Sequence, residues 1–166
     1  MVKMNPCRFN FRRSPLWCAI AAIALFTSLA TQSQVALSQP AKVTIAPQFS
    51  PNPLQLEGVG GGDVAATAIA GTSDTQTGPC SGFVSSTPNH VLKLTKFFNA
   101  LNLQVESNED TALIIKGPGG VWCNDDFDGN NPGISGQWQA GDYSIWVSSY
   151  KKNNAPGYTL RVVEER

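Results

Sequence analysis

The chain has 166 residues, with 12 Lys and Arg, 12 Asp and Glu and one His, so its formal charge is zero. That sum hides an asymmetry. Four of the basic residues lie in the first 13 positions and all the acids lie after residue 38, leaving the remainder at net −4. An acidic remainder excludes a nucleic-acid partner, which needs a basic face to replace phosphate counterions, and is compatible with metal cations. The roughly 128 residues after position 38 suffice for one hydrophobic core and not two.

Residues 1–38 read as a secretory signal peptide. Lys3, Arg8, Arg12 and Arg13 precede an apolar run from Leu16 to Ala30, and small residues follow. The run of about 15 residues is shorter than the roughly 20 needed to span a bilayer, so no membrane span is expected after cleavage. Small residues at −3 and −1 allow cleavage after Ala30 or after Ser38; an uncleaved anchor is the alternative. The expected location is secreted or periplasmic. Residues 39–62 contain Pro40, Pro47, Pro51 and Pro53 and end in the glycines of 58–62. They read as an extended lead-in with a flexible hinge. The expected domain is then residues 63–166.

Cys7 and Cys18 fall in the signal region, which leaves Cys80 and Cys123 as an even pair in an oxidising compartment. A disulfide between them is expected. It would contribute roughly 4 kcal/mol by the chain-entropy account. Two cysteines this far apart with no histidine motif do not suggest zinc. Residues 64–70 read as an edge strand and 72–79 as a polar loop.

From about residue 81 apolar and polar residues alternate. Leu92 and Leu94, then Leu101, Leu103 and Val105, then Leu113 and Ile115 fall on one parity. Tyr143, Ile145 and Val147, then Tyr158, Leu160 and Val162, repeat the pattern. Period two with β-branched and aromatic residues predicts half-buried strands, and Gly-Pro-Gly-Gly at 117–120 predicts a tight turn. The fold class is all-β: a single antiparallel β-sandwich or jelly roll of about eight strands.

The run from Asp110 (DTALIIKGPGGVWCNDD), then AGDYSIWV at 140–147 and GYTLRV at 157–162, resembles the bacterial pre-peptidase C-terminal domain. That family's pattern has an acid before a strand, a glycine-rich turn, a paired acid and two closing strands. The resemblance covers roughly residues 88–164 and is greatest to stand-alone secreted members. It implies a small jelly-roll sandwich. Domains of this type usually accompany secreted proteases, and some bind calcium or a polymeric substrate.

Residues 124–129 read Asn-Asp-Asp-Phe-Asp-Gly. Asn124, Asp126, Asp128 and Gly129 match the first positions of an EF-hand loop, but its twelfth position is Ser135 and no helices flank it. The loop could form half of a calcium site completed by Asp110 and Asp125. It could equally be a hydrogen-bonded turn, because Asn, Asp and Gly bond their own backbone and tolerate left-handed φ. Strand parity sends Asp125 and Asp126 to opposite faces.

The same parity turns Trp146 and Tyr150 away from the core side of Tyr143, Ile145 and Val147. They form a candidate stacking platform for a sugar or a protein partner, unless another segment covers them. Trp122 and Trp138 are expected to pack against neighbouring strands and the disulfide. His90 reads as a surface histidine at a strand start, with no nucleophile motif nearby. The functional expectation is a secreted, non-catalytic binding module for an extracellular polysaccharide or protein. The alternatives are an envelope assembly protein docking through residues 39–57, and a hydrolase using Asp125, Asp126 or Asp128.

Overall fold

The computed structural model describes residues 40–165. The expected signal peptide and both cleavage positions lie outside the described residues. Two main sheets form the molecule. Five strands are ordered β1 (Ala41–Ile45), β7 (His90–Leu94), β12 (Gly141–Val147), β9 (Leu113–Gly117) and β10 (Gly120–Asn124). Four are ordered β11 (Gly133–Trp138), β8 (Phe98–Ser107), β13 (Gly157–Glu164) and β2 (Leu54–Val59). The alternating residues of both sheets meet in one core, including Leu92, Leu103, Ile115, Tyr143, Ile145 and Leu160. The all-β sandwich expected from periodicity is therefore observed, with nine strands in the main sheets.

Three expectations are corrected. The lead-in of 39–62 belongs to the sandwich, since it supplies β1 to one sheet and β2 to the other. Pro47, Pro51 and Pro53 sit between the two strands, where Asn52 grips the last strand: its amide donates to the Glu164 carbonyl at 2.9 Å and accepts from the Glu164 N–H at 3.1 Å. The domain boundary thus moves N-terminal of residue 63. The sheets are not purely antiparallel, because β1 runs parallel to β7. The glycines of 58–62 make close contacts. Gly58 lies opposite Tyr158, and a Cβ there would collide with the phenol. Gly117 meets Tyr143 in the same way. In both pairs the absent side chain makes room for a tyrosine ring to lie across the neighbouring strand.

The segment of 64–84 forms a second layer. It contains β3 (Val64–Ala65), a one-turn helix α1 (Ala66–Ala70), the hairpin β4 (Asp74–Thr75) and β5 (Gly78–Pro79), and β6 (Phe83–Val84). The edge strand expected over 64–70 therefore stops at Ala65. Gly71 ends the helix with φ 78°, and Lys116 Nζ donates to the Ile69 carbonyl at 2.8 Å. Cys80 and Cys123 are joined as expected. The layer covers the far side of the five-stranded sheet, where Ala66, Val84, Ile114, the disulfide and Trp146 make a second apolar cluster. The same segment caps the edge at β10: the Cys123 N–H donates to the Thr75 hydroxyl at 3.0 Å, and the Thr77 hydroxyl donates to the Cys123 carbonyl at 2.7 Å. Side chains thus satisfy edge groups that would otherwise invite another strand.

Candidate functional site

The acidic stretch begins where β10 ends. Asn124 is committed to the fold: its amide donates to the Thr77 carbonyl at 2.8 Å and accepts from the Gly133 N–H at 2.9 Å. The N–H groups of Phe127 and Asp128 both donate to the Asn131 carbonyl at 3.0 Å, and the Asn131 N–H returns a bond to the Asp128 carbonyl. Gly129, at φ 61°, supplies the left-handed residue of this turn. Asn131 Oδ1 then accepts from the Ser107 N–H at 3.0 Å, tying the turn to β8. The backbone of 124–131 is a hydrogen-bonded turn, and both polar atoms of the Asn124 amide already bond to the fold.

The carboxylates divide by parity. Asp125 is 7% exposed; Asp126, Asp128 and Asp110 face solvent. Asp125 Oδ2 accepts from the Tyr150 hydroxyl at 2.9 Å, and its Oδ1 is buried without a partner. That bond is the largest cause of the raised Tyr150 pKa. Desolvation, followed by the charges of Asp125 and Asp126, raises the carboxyl of Asp110 above the ordinary range. The Asp110 carboxyl therefore feels the charges of Asp125 and Asp126, whereas Asp128 belongs to the turn tip. Among the described residues no three His, Cys, Asp or Glu side chains converge as a metal-holding group.

The stacking platform is also corrected. Trp146 is 7% exposed, enclosed by the second layer, and its indole N–H is buried without a partner. Tyr150 is half exposed but is anchored to Asp125. The pair presents no joint aromatic surface. Strand parity placed Trp146 correctly on the face opposite Tyr143, but segment 64–84 covers that face. His90 is buried as well. It opens β7 as expected, but it lies inside the sandwich with its Nε2 2.8 Å from the Tyr158 hydroxyl. Desolvation lowers the His90 pKa and raises that of Tyr158, and both changes favour the neutral pair.

A different aromatic group remains accessible. Trp122, half-buried on β10, stands 6.2 Å from Trp138 and 6.3 Å from Tyr143 by ring centroids, and those two meet edge-on at 4.9 Å. Trp122 and Trp138 pack on each other in the main core, not on the disulfide, which occupies the opposite face. Trp138 donates its indole N–H to the Leu101 carbonyl, and Tyr143 donates its hydroxyl to the Gln139 carbonyl, each at 2.9 Å. These two rings are fixed supports. The Trp122 indole N–H makes no hydrogen bond among the described residues. Above the rings lies a cleft of about 300 Å³ between the 117–120 turn and β11, flanked by Ser135, Gln137 and Gln139. The sequence carried a faint signal for it. In Gln-Trp-Gln at 137–139, the buried tryptophan stands between two exposed amides at an irregular stretch of the edge strand.

No family model and no curated protein matches the chain. Among solved structures it is similar to the pre-peptidase C-terminal domain of a collagenase from Bacillus anthracis. Identity is 10% and the TM-score 0.43, with 75% of this chain and 96% of that one covered.

Proposed function

We propose that the protein is a secreted, non-catalytic β-sandwich module that binds an extracellular polymer, polysaccharide or protein, through the cleft at Trp122. The observation that carries this reading is a half-buried indole on two locked aromatic supports, flanked by hydrogen-bonding side chains with no partner among the described residues. Concave sites with apolar walls and a few placed polar groups are the usual form of a ligand pocket. The disulfide supports an oxidising location, as does the basic and apolar N-terminus. A non-catalytic role is supported by the sole histidine, which is buried against Tyr158. Docking of a partner through 39–57 is a weaker reading, because β1 and most of β2 are strands of the sandwich. The test is retention on immobilised extracellular polysaccharides and matrix proteins, beside a Trp122→Ala variant that retains its melting midpoint. Retention lost in that variant supports the reading, and absence of retention throughout the panel overturns it.

A second reading is calcium stabilisation of the Asp110, Asp125 and Asp126 corner. It is supported by the buried, unbonded Oδ1 of Asp125 and by the charges of Asp125 and Asp126, which add to desolvation in raising the Asp110 carboxyl. Asn124 and Asp128 are not part of it. Calcium at about one hundred times its dissociation constant would stabilise by roughly 2.7 kcal/mol. Thermal midpoints in EDTA and in millimolar calcium test it. A calcium-dependent rise abolished by Asp125→Asn is expected, and identical midpoints would overturn it.

A further inference from the structure

The chemistry of the Trp122 cleft selects among polymers. Although the chain beyond residue 38 is net acidic, among the described residues no ionisable acid or base other than Tyr143 lines the cleft, and the Tyr143 hydroxyl is already bonded. An anionic or cationic ligand would lose hydration there and find no opposite charge. A purely apolar ligand would leave the amides of Gln137 and Gln139 and the hydroxyl of Ser135 desolvated and unpaired. The ligand that matches an aromatic face rimmed by neutral donors and acceptors has an apolar face and a rim of hydroxyls.

We propose that this cleft binds a neutral polysaccharide, with a sugar ring stacked on Trp122 and its hydroxyls bonded by Gln137, Gln139 and the Trp122 indole N–H. This rests on the binding-module reading and narrows it to one substrate class. The volume sits at the small end for ligand pockets, about 300 to 1,000 Å³, so the cleft holds a short stretch of a longer chain. The supports are rigid. Trp138 and Tyr143 each have their polar atom bonded to backbone, so the platform is formed before the ligand arrives. An extended peptide is the competing occupant, because β11 is an edge strand with its outer side open beyond Gly133.

The experiment is titration calorimetry of the purified protein against neutral oligosaccharides of the cello-, chito-, malto- and manno- series. Acidic oligogalacturonate and gelatin peptides serve as comparison probes. The expected result is binding to at least one neutral series. Trp122→Ala should weaken it at least about tenfold, the loss typical of a central aromatic contact. Gln137→Ala with Gln139→Ala should weaken it without moving the melting midpoint, because both side chains are exposed and unbonded. Trp122→Phe, which keeps the apolar wall, separates lost stacking from lost folding. Binding to oligogalacturonate or gelatin alone, lost in Trp122→Ala, would overturn the neutral-saccharide assignment and leave the binding module standing. Neutral-sugar binding unchanged in both variants would overturn the site. No binding to any probe would overturn both.

Discussion

Two polar stretches, one before β11 and one at its end, use their side chains in opposite ways. In 124–131, Asn124 and Asn131 bond inward to Thr77, Gly133 and Ser107. In 137–139, two amides flank a buried tryptophan and bond nothing among the described residues. By composition the first looks like a ligand site and the second like ordinary strand. Hydrogen-bond accounting reverses that ranking. A polar group already bonded to the fold holds structure, and only an unbonded one on a formed surface is free for a ligand.

The widest break in this comparison comes from the disulfide. It holds the layer that closes over Trp146 on one face, and the Trp122 cleft lies on the other. Replacing Cys80 and Cys123 by Ser is expected to cost roughly 4 kcal/mol, seen as a shift in urea midpoint. It should also raise quencher access to Trp146 more than to Trp138. Asn124→Ala is next. It strands the Thr77 carbonyl and the Gly133 N–H, so a loss of about 2 kcal/mol is expected by chemical denaturation.

His90 gives a smaller and pH-dependent effect. Its folded pKa is lowered from 6.5, so the unfolded chain takes up its proton first. Stability present above pH 6.5 should fall as pH drops from there toward the folded value, and His90→Gln should flatten that dependence in thermal scans. Asp110 has the reverse sign. Its folded pKa is raised, so its charge destabilises the fold above that pKa and the penalty disappears as pH falls. Asp110→Asn should raise the melting midpoint slightly at pH 7 and leave it unchanged in acid. Gln137→Ala sharpens the comparison from the other end: its effect on stability should stay within about 0.5 kcal/mol.

Much of the sandwich was legible because burial on one face writes period two into the chain. Leu101, Leu103 and Val105, and Tyr158, Leu160 and Val162, are such runs, and all six are buried. The disulfide was legible from cysteine arithmetic. Parity also put Asp125 and Asp126 on opposite faces without saying which is buried; it is Asp125. Parity alone could not say whether Trp146 is covered or open, and segment 64–84 covers it. The continuous apolar run Leu113, Ile114 and Ile115 carried the missing clue, since a strand apolar on both faces needs cover on both. With Cys123 on that same outer face, the bridge to Cys80 draws the cover into place. Strands β1 and β2 were hidden by their prolines, which sit just before β1 or in the connection and leave the paired residues clear. His90 gave no sign of burial, because its partner Tyr158 lies 68 residues away.

The placement of β2 fixes the order in which the chain can close. Leu54 pairs with Val162, and among the described residues β2 has no other neighbour in its sheet, so β2 must wait for β13. The disulfide loop and the β9–β10 hairpin can form earlier from local chain. A chain emerging N-terminus first would therefore remain open, with Leu54 and Leu56 unburied, until its final strand arrived. Pairings this distant in sequence slow folding. The five-stranded sheet needs no part of β13, so the topology acts as a clock for the other sheet alone, delaying its closure until β13 is available.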